Sequence, residues 1–284
     1  MSAAPVSTDR PQSTRPLLTL PPRPSRLGRL AIAVVVTLIV VVAFWSIDIN
    51  WARLGSLPAE ILRYLWLMFS APDWTKLPEA LLQTWRSVEM AWVGTVLGLV
   101  IALPLSFLSA RGFSPAPVRW GLRVLFGVIR AVPEIIIAIV ILSVTGLTPL
   151  TGALALTVNS IGTLGKWGYE SIEGVDPGPL EAVRAAGGSG IEVIRWGVWP
   201  SVTPEFISFW LYRFEINVRA SAVLGLIGVG GIGDMLTSYT QYRLWPVVGV
   251  LLIVVVVVTM SIDAVSGAIR RRITEGATVR ELDR

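Results

Sequence analysis

The residues in this chain best equipped for chemistry are charged side chains set inside apolar sequence. Arg213, Glu215, Asn217 and Arg219 punctuate the apolar stretch that starts near Pro204. A charge at the bilayer centre costs roughly 2.5–3.5 kcal/mol on insertion scales, so such residues face a bundle interior or water. Glu215 and Arg219 stand four apart with the acid N-terminal, the favourable order for an intrahelical pair. Arg213 and Asn217 share the same spacing on a neighbouring face. Two chemistries fit. One is a set of structural ion pairs that fixes helix packing. The other is a cationic lining for an anionic substrate, because the forked donors of arginine suit phosphate-type oxygens. Arg130 and Glu134 flank Pro133 and form a second candidate pair, with the proline kinking its helix.

What the chain lacks narrows the field. It has no cysteine and no histidine, which removes disulfides, thiolate nucleophiles, imidazole metal ligands and histidine acid–base chemistry. No group of carboxylates has metal-ligand spacing, so no metal and no catalytic residue is expected. The formal net charge is +5. The basic residues sit beside apolar runs, so they report membrane topology rather than nucleic acid. Gly228, Gly230 and Gly233 formally satisfy G-x-G-x-x-G. A dinucleotide site needs a strand before that motif and a βαβ context, and here an apolar helical end, Ala222–Ile227, precedes it. Gly228, Gly230, Gly231 and Gly233 are better suited to close helix approach or a non-helical turn near the outer side. The segment Gly162–Lys166 lacks the spacing of a phosphate-binding loop, so any ATPase motor is another polypeptide.

The elements that must carry these residues are apolar helices. Hydrophobic residues make up 53% of the chain and charged residues only 15%, against about 25% charged in a soluble domain. Residues 1–29 are rich in Pro, Ser and Arg and read as a disordered tail. No cleavable signal peptide is evident. A first span covers 30–47, and 58–69 reads as an interfacial amphipathic helix. Further spans are expected over about 87–109, 122–146 and 150–166, from near Pro204, and over 244–262. That makes an all-α membrane protein with about six transmembrane helices. Arg10, Arg15, Arg23, Arg26 and Arg29 precede the first span, Arg111 and Arg119 follow the second, and Arg270, Arg271 and Arg272 follow the last. With six spans these segments share one side, which puts both termini in the cytoplasm.

The longest polar stretch between spans runs over 170–200. Asp176-Pro177 is a helix start, with Asp as N-cap and Pro at the first helical position. Gly187 and Gly188 stop that helix. Ser189 begins another, with Glu192 completing a capping box. Ile191, Ile194 and Val198 fall on one helical face. Two short helices at a glycine corner suit insertion into a partner's groove; an ordinary helical loop is the competing reading.

Glu181-Ala182, Gly187 and Pro200 resemble the E-A-A…G…P signature of ABC importer permeases. The pattern departs at Val183, Gly197 and Trp199. Arg130-Ala-Val-Pro-Glu134 is similar to an R-x-[IV]-P-[ED] element. Glu215–Gly225, followed by Gly228–Gly233, is similar to the phosphonate/phosphate branch of that family. The likeness covers about 84–268. It implies a type I importer core with an extra N-terminal helix, and divides the chain into a tail (1–29), a first helix and external segment (30–83), the permease core (84–268) and a cytoplasmic tail (269–284).

The resemblance further implies a homodimer in a bacterial inner membrane, served by two ATPase subunits that bind ATP and Mg and by an extracytoplasmic substrate-binding protein. This chain itself would bind no cofactor. Glu181, Ala182, Gly187, Ile191, Ile194 and Pro200 would couple the ATPase. Arg130, Arg213, Asn217 and Arg219 would line an anion path, with Glu134 and Glu215 as ion-pair partners and Gly228, Gly230, Gly231 and Gly233 near the external gate. The rivals are a permease for another small solute such as methionine, an ion-coupled secondary transporter, which would show internal repeats with paired broken helices, and a lipid-acting enzyme, for which no catalytic constellation is present.

Overall fold

The computed structural model describes residues 26–47 and 51–282. Among these, every regular element is a helix. The chain forms two units, one ending at Pro58 and the other beginning at Ala59. The first holds α1 (Arg26–Ser46), whose apolar stretch Leu27–Ser46 is 20 residues long, about 30 Å, which matches a hydrocarbon core. The expected disordered tail, 1–29, lies almost wholly outside the described residues. α2 (Trp51–Phe69) begins seven residues before the expected amphipathic segment and carries Pro58 within it.

The second unit is organised by α3 (Leu77–Ser109), a helix of 33 residues. It is about 50 Å long, ten residues longer at its N-terminal end than the expected span. Its buried positions, Met90 apart, are small: Ala80, Thr84, Ser87, Ala91, Gly94, Thr95, Gly98, Ala102, Ser106 and Ser109. Helices in lipid gain no hydrophobic drive from one another, so they associate through close backbone approach. α6 (Pro149–Glu173) uses that surface. A Cβ at Gly94 would come within 2.6 Å of Leu156 Cβ, and one at Gly98 within 2.5 Å of Ser160 Cβ.

The expected single span over 122–146 is two helices. α4 (Ala116–Ala131) and α5 (Glu134–Thr145) meet at 93°. Pro133 accounts for the break. It removes an amide donor and forces Val132 into extended backbone (φ −94°, ψ 122°). α4 is amphipathic and buries Phe126 alone, which stacks on Tyr169 of α6.

α9 (Trp199–Gly225) starts five residues before Pro204, because Pro200 sits in the first turn where its missing N–H is not needed. α10 (Ile232–Gln241) was not expected, although Ile232, Met235, Leu236 and Tyr239 have helical spacing and pack into one apolar cluster with Leu251. α11 (Trp245–Leu282) runs well past the expected end at 262, through the segment expected to be a tail. Among the described residues, three helices are long and apolar enough to cross a membrane, at Leu27–Ser46, Trp74–Ser109 and Trp245–Ile273, and the broken α4–α5 pair makes a fourth if it forms one span. α6 and α9 have 25 and 27 residues. Their length suffices to span, and polar side chains turned inward lower their hydropathy. The expected count of about six requires both.

Candidate functional site

Two sites stand out: the loop between α6 and α9, and the polar face of α9.

The loop folds as its caps dictate. The Asp176 carboxylate accepts from Gly178 N at 2.8 Å and opens α7 (Pro177–Ala185). Gly188 N donates to Val183 O and Gly187 N to Arg184 O, both at 2.9 Å. This is the Schellman pattern, and Gly187 supplies the left-handed residue it requires, with φ +82°. Ser189 N then donates to Glu192 Oε2 at 2.6 Å. That backbone bond, reinforced by the Ser189 side chain, holds the Glu192 carboxyl below its ordinary range.

After α8 (Gly190–Glu192) the chain winds as a π-helix over Val193–Val198. This corrects the expected face of Ile191, Ile194 and Val198. The wider winding buries Val193, turns Val198 into the core beside Val202 and Phe206, and leaves Ile191 78% exposed and Trp196 63% exposed. Arg195 lies over the Trp196 ring at 5.2 Å. Gly197, one of the departures from the signature, is buried, and a Cβ there would lie 3.4 Å from Leu180 Cα. Glu181 and Ala182 stand exposed on α7, and Pro200 is exposed at the start of α9.

α9 divides its polar residues between two neighbours. Arg213 and Asn217 face inward, to α3 and α6. Arg213 is 6% exposed. Its Nε donates to Ser160 Oγ at 3.1 Å and its Nη2 to Asn159 Oδ1 at 2.8 Å. Asn159 Nδ2 donates in turn to Glu134 Oε2 at 3.0 Å, so one amide bridges guanidinium and carboxylate. Asn217 is fully buried and donates to Thr95 Oγ1 at 2.8 Å and Ser160 Oγ at 2.9 Å.

Glu215 and Arg219 face α11. The expected Glu215–Arg219 pair does not form. Arg219 Nη2 contacts Asp263 Oδ1 and Oδ2 at 3.0 and 2.9 Å, and Arg270 Nη2 contacts Glu215 Oε1 at 2.9 Å. The reason is geometric. The helices run antiparallel, so each α9 residue meets an oppositely charged residue of α11 more closely than its own neighbour one turn away. Nor do Arg130 and Glu134 pair, because the helix break separates them; Arg130 is exposed on α4 and Glu134 turns to Asn159. Asp263 and Arg270 are the partners that sequence reasoning missed. They lie 44 and 55 residues from theirs, and no local signal links them.

The glycines follow α9 directly. Gly228, Gly230 and Gly231 have φ of +88°, +92° and +80°. Gly233 packs on the Ala222 carbonyl and on Gly225 Cα, and a buried bond from Ile232 N to Ser87 Oγ (3.0 Å) ties the turn to α3. The glycine turn thus lies level with Ser87, about 15 Å along α3 from its N-terminal end.

A long small-residue helix, a proline-broken pair, a capped bent loop and a left-handed glycine turn define a helical transport subunit with a type I ABC importer permease fold. The structure is similar to the MetNI methionine ABC transporter in inward-facing conformations, with a TM-score of 0.59, 20% identity and coverage of 66% of this chain and 93% of that one. Residues 94–275 match the family described as the binding-protein-dependent transport system inner membrane component, and the chain belongs to that family. It is 40% identical over 187 residues to the phosphite transport system permease protein PtxC of Stutzerimonas stutzeri, covering 65% of this chain and 68% of that protein. It is 33% identical over 253 residues to HtxC of the same organism, covering 88% of this chain and 89% of HtxC. It is 38% identical over 189 residues to the phosphate-import permease protein PhnE of Mycolicibacterium smegmatis, covering 66% of this chain but only 36% of that protein's length.

Proposed function

We propose that this chain forms the translocation pathway of an ATP-driven importer for phosphonate, phosphate or a related oxyanion such as phosphite, working by alternating access. The carrying observation is the loop between α6 and α9. It presents Ile191 and Trp196 outward on a rigid, doubly capped scaffold whose other face is locked into the bundle through Val198. Exposed apolar side chains on a preorganised element suit a partner's groove. The oxyanion class follows from the relatives named for phosphite and phosphate.

In this reading two ATPase subunits, which bind ATP and Mg, seat on the loops of two copies of the chain. Glu181, Ala182, Gly187, Ile191, Ile194 and Pro200 build that seat. An extracytoplasmic binding protein delivers cargo to the glycine turn. α1, α3, the α4–α5 pair, α6, α9 and α11 cross the inner membrane, with the core over 84–268 and both termini cytoplasmic. The chain itself binds no cofactor and performs no covalent chemistry. Arg219, half open on α9, contributes to the anion path, whereas sealed Arg213 and Asn217 hold the bundle together.

Reconstitution of the chain with its ATPase and binding protein tests this. Uptake of phosphate, phosphite or a phosphonate should need ATP, stop with vanadate and survive an ionophore. Uptake that survives ATP depletion and collapses with an ionophore refutes it in favour of a secondary transporter. Uptake of methionine but no oxyanion assigns another cargo.

A further inference from the structure

Asp263 holds Arg219 in an unusual way. Both carboxylate oxygens contact a single guanidinium nitrogen, Nη2. A closed fork would use two nitrogens, so one arm of Arg219 stays open. Both partners are also accessible within the protomer, at 52% and 39% side-chain exposure. They are nevertheless deep. Asp263 lies about 27 Å along α11 from Trp245, and about 15 Å of the apolar stretch ending at Ile273 still follows. Ionisable residues at such depth face water or protein, not lipid.

Two features beside the pair leave room for a small anion. A cavity of about 120 Å³ is lined by Arg219, Thr84, Ser87 and Thr259 and otherwise by apolar side chains such as Ile232 and Val255. Next to Ile232 comes the glycine turn, and irregular backbone at membrane depth occurs where it is buried in protein or lines a water-filled space.

We propose that Arg219 and Asp263 form a charge-exchange station, in which a passing oxyanion takes the open arm of Arg219 and Asp263 then reclaims the guanidinium and releases the anion inward. Asp263 is thereby the residue that sets release. A bare arginine would capture the anion and hold it, and conduction requires a site strong enough to enter yet weak enough to leave. This rests on the oxyanion reading above.

The test uses the full chain assembled with its ATPase and binding protein in proteoliposomes, with inorganic phosphate and phosphite as probes. Asp263→Asn should lower KM for uptake about tenfold and lower kcat with it, the low end of coupling for close charge pairs. Arg219→Gln should abolish uptake, and Arg219→Gln/Asp263→Asn should restore part of it. Assembly is scored separately by co-purification with the ATPase. A second measurement does not depend on those variants. The chain has no cysteine, so Thr259→Cys provides a single thiol at the cavity. It should react with an anionic, membrane-impermeant thiosulfonate, and phosphate or phosphite should slow the reaction. Asp263→Asn with unchanged KM, or an inert thiol in the assembled complex, overturns the station while wild-type uptake stands. Wild type that takes up neither probe, nor a phosphonate, overturns the oxyanion reading itself.

Discussion

Replacing Arg213 by methionine keeps most of the side-chain volume and deletes the charge. In the wild type the guanidinium supplies donors to Ser160 Oγ and Asn159 Oδ1, and through Asn159 it faces the Glu134 carboxylate. The variant leaves a buried amide oxygen short of a donor and Glu134 without its balancing charge. Removing one partner of a buried ionic pair costs about 3–5 kcal/mol. The bridging amide separates the charges here, so the lower end applies, about 3 kcal/mol. At about 2–4 °C per kcal/mol, that is a fall of about 6–12 °C in Tm, read by heating detergent-solubilised protein and following the monodisperse peak on size exclusion. Adding Glu134→Gln should return about 1–2 kcal/mol, a coupling expected for groups in one network. KM for uptake should not move. An unshifted Tm, or a changed KM with an unchanged Tm, would falsify the structural assignment of Arg213 and return it to the anion path.

Other expectations test the packing and the loop. Gly98→Ala should destabilise the bundle by about 1–3 kcal/mol despite the helix propensity it gains, because the new Cβ meets Ser160 Cβ at 2.5 Å; Gly121→Ala, with nothing within 4 Å, should be neutral or stabilising. Gly187→Val should weaken co-purification with the ATPase while sparing bundle Tm, since φ +82° strains a β-branched residue; full ATPase retention speaks against the loop as the seat. The folded-state pKa of Glu192 is depressed by the Ser189 backbone bond. Its capping contribution is therefore complete above the unfolded value of about 4.3 and lost as pH falls through the lower folded value. Hydrogen exchange at Gly190–Ile194 should accordingly be pH-insensitive, after correction for intrinsic rates, between pH 7 and 5 and accelerate only in stronger acid; a change near pH 6 would contradict this.

The loop was legible because its information is local. Asp176, Gly187 and the Ser189–Glu192 box each act within a few residues, and each sits where its chemistry predicts. The π-winding was not legible. It follows from the burial of Val193 and the core's demand for Val198 beside Phe206, a tertiary preference that overrides the 3.6-residue period. The small residues of α3 were overlooked for a related reason. Glycine in a helix reads as weakness until the neighbour that needs the space is in view, and that neighbour is α6. Pro133 announced a kink, but not its 93° angle, which leaves amphipathic α4 and the mainly apolar α5 in different surroundings.

The charges of α9 show how far spacing can be trusted. Four-residue spacing sorted them correctly into two faces, Arg213 with Asn217 and Glu215 with Arg219. It chose the wrong bonds, because a face tells which residues look the same way and not what they look at. One face meets α3 and α6 and is closed by Asn159, Ser160 and Thr95. The other meets α11 and is balanced by Asp263 and Arg270, with Arg219 left half open. The two chemistries that the sequence left in competition, structural pair and anion lining, are therefore not alternatives for the helix as a whole. Each belongs to one face. A substitution on the closed face should be read in Tm, and a substitution at Arg219 or Asp263 in KM and kcat.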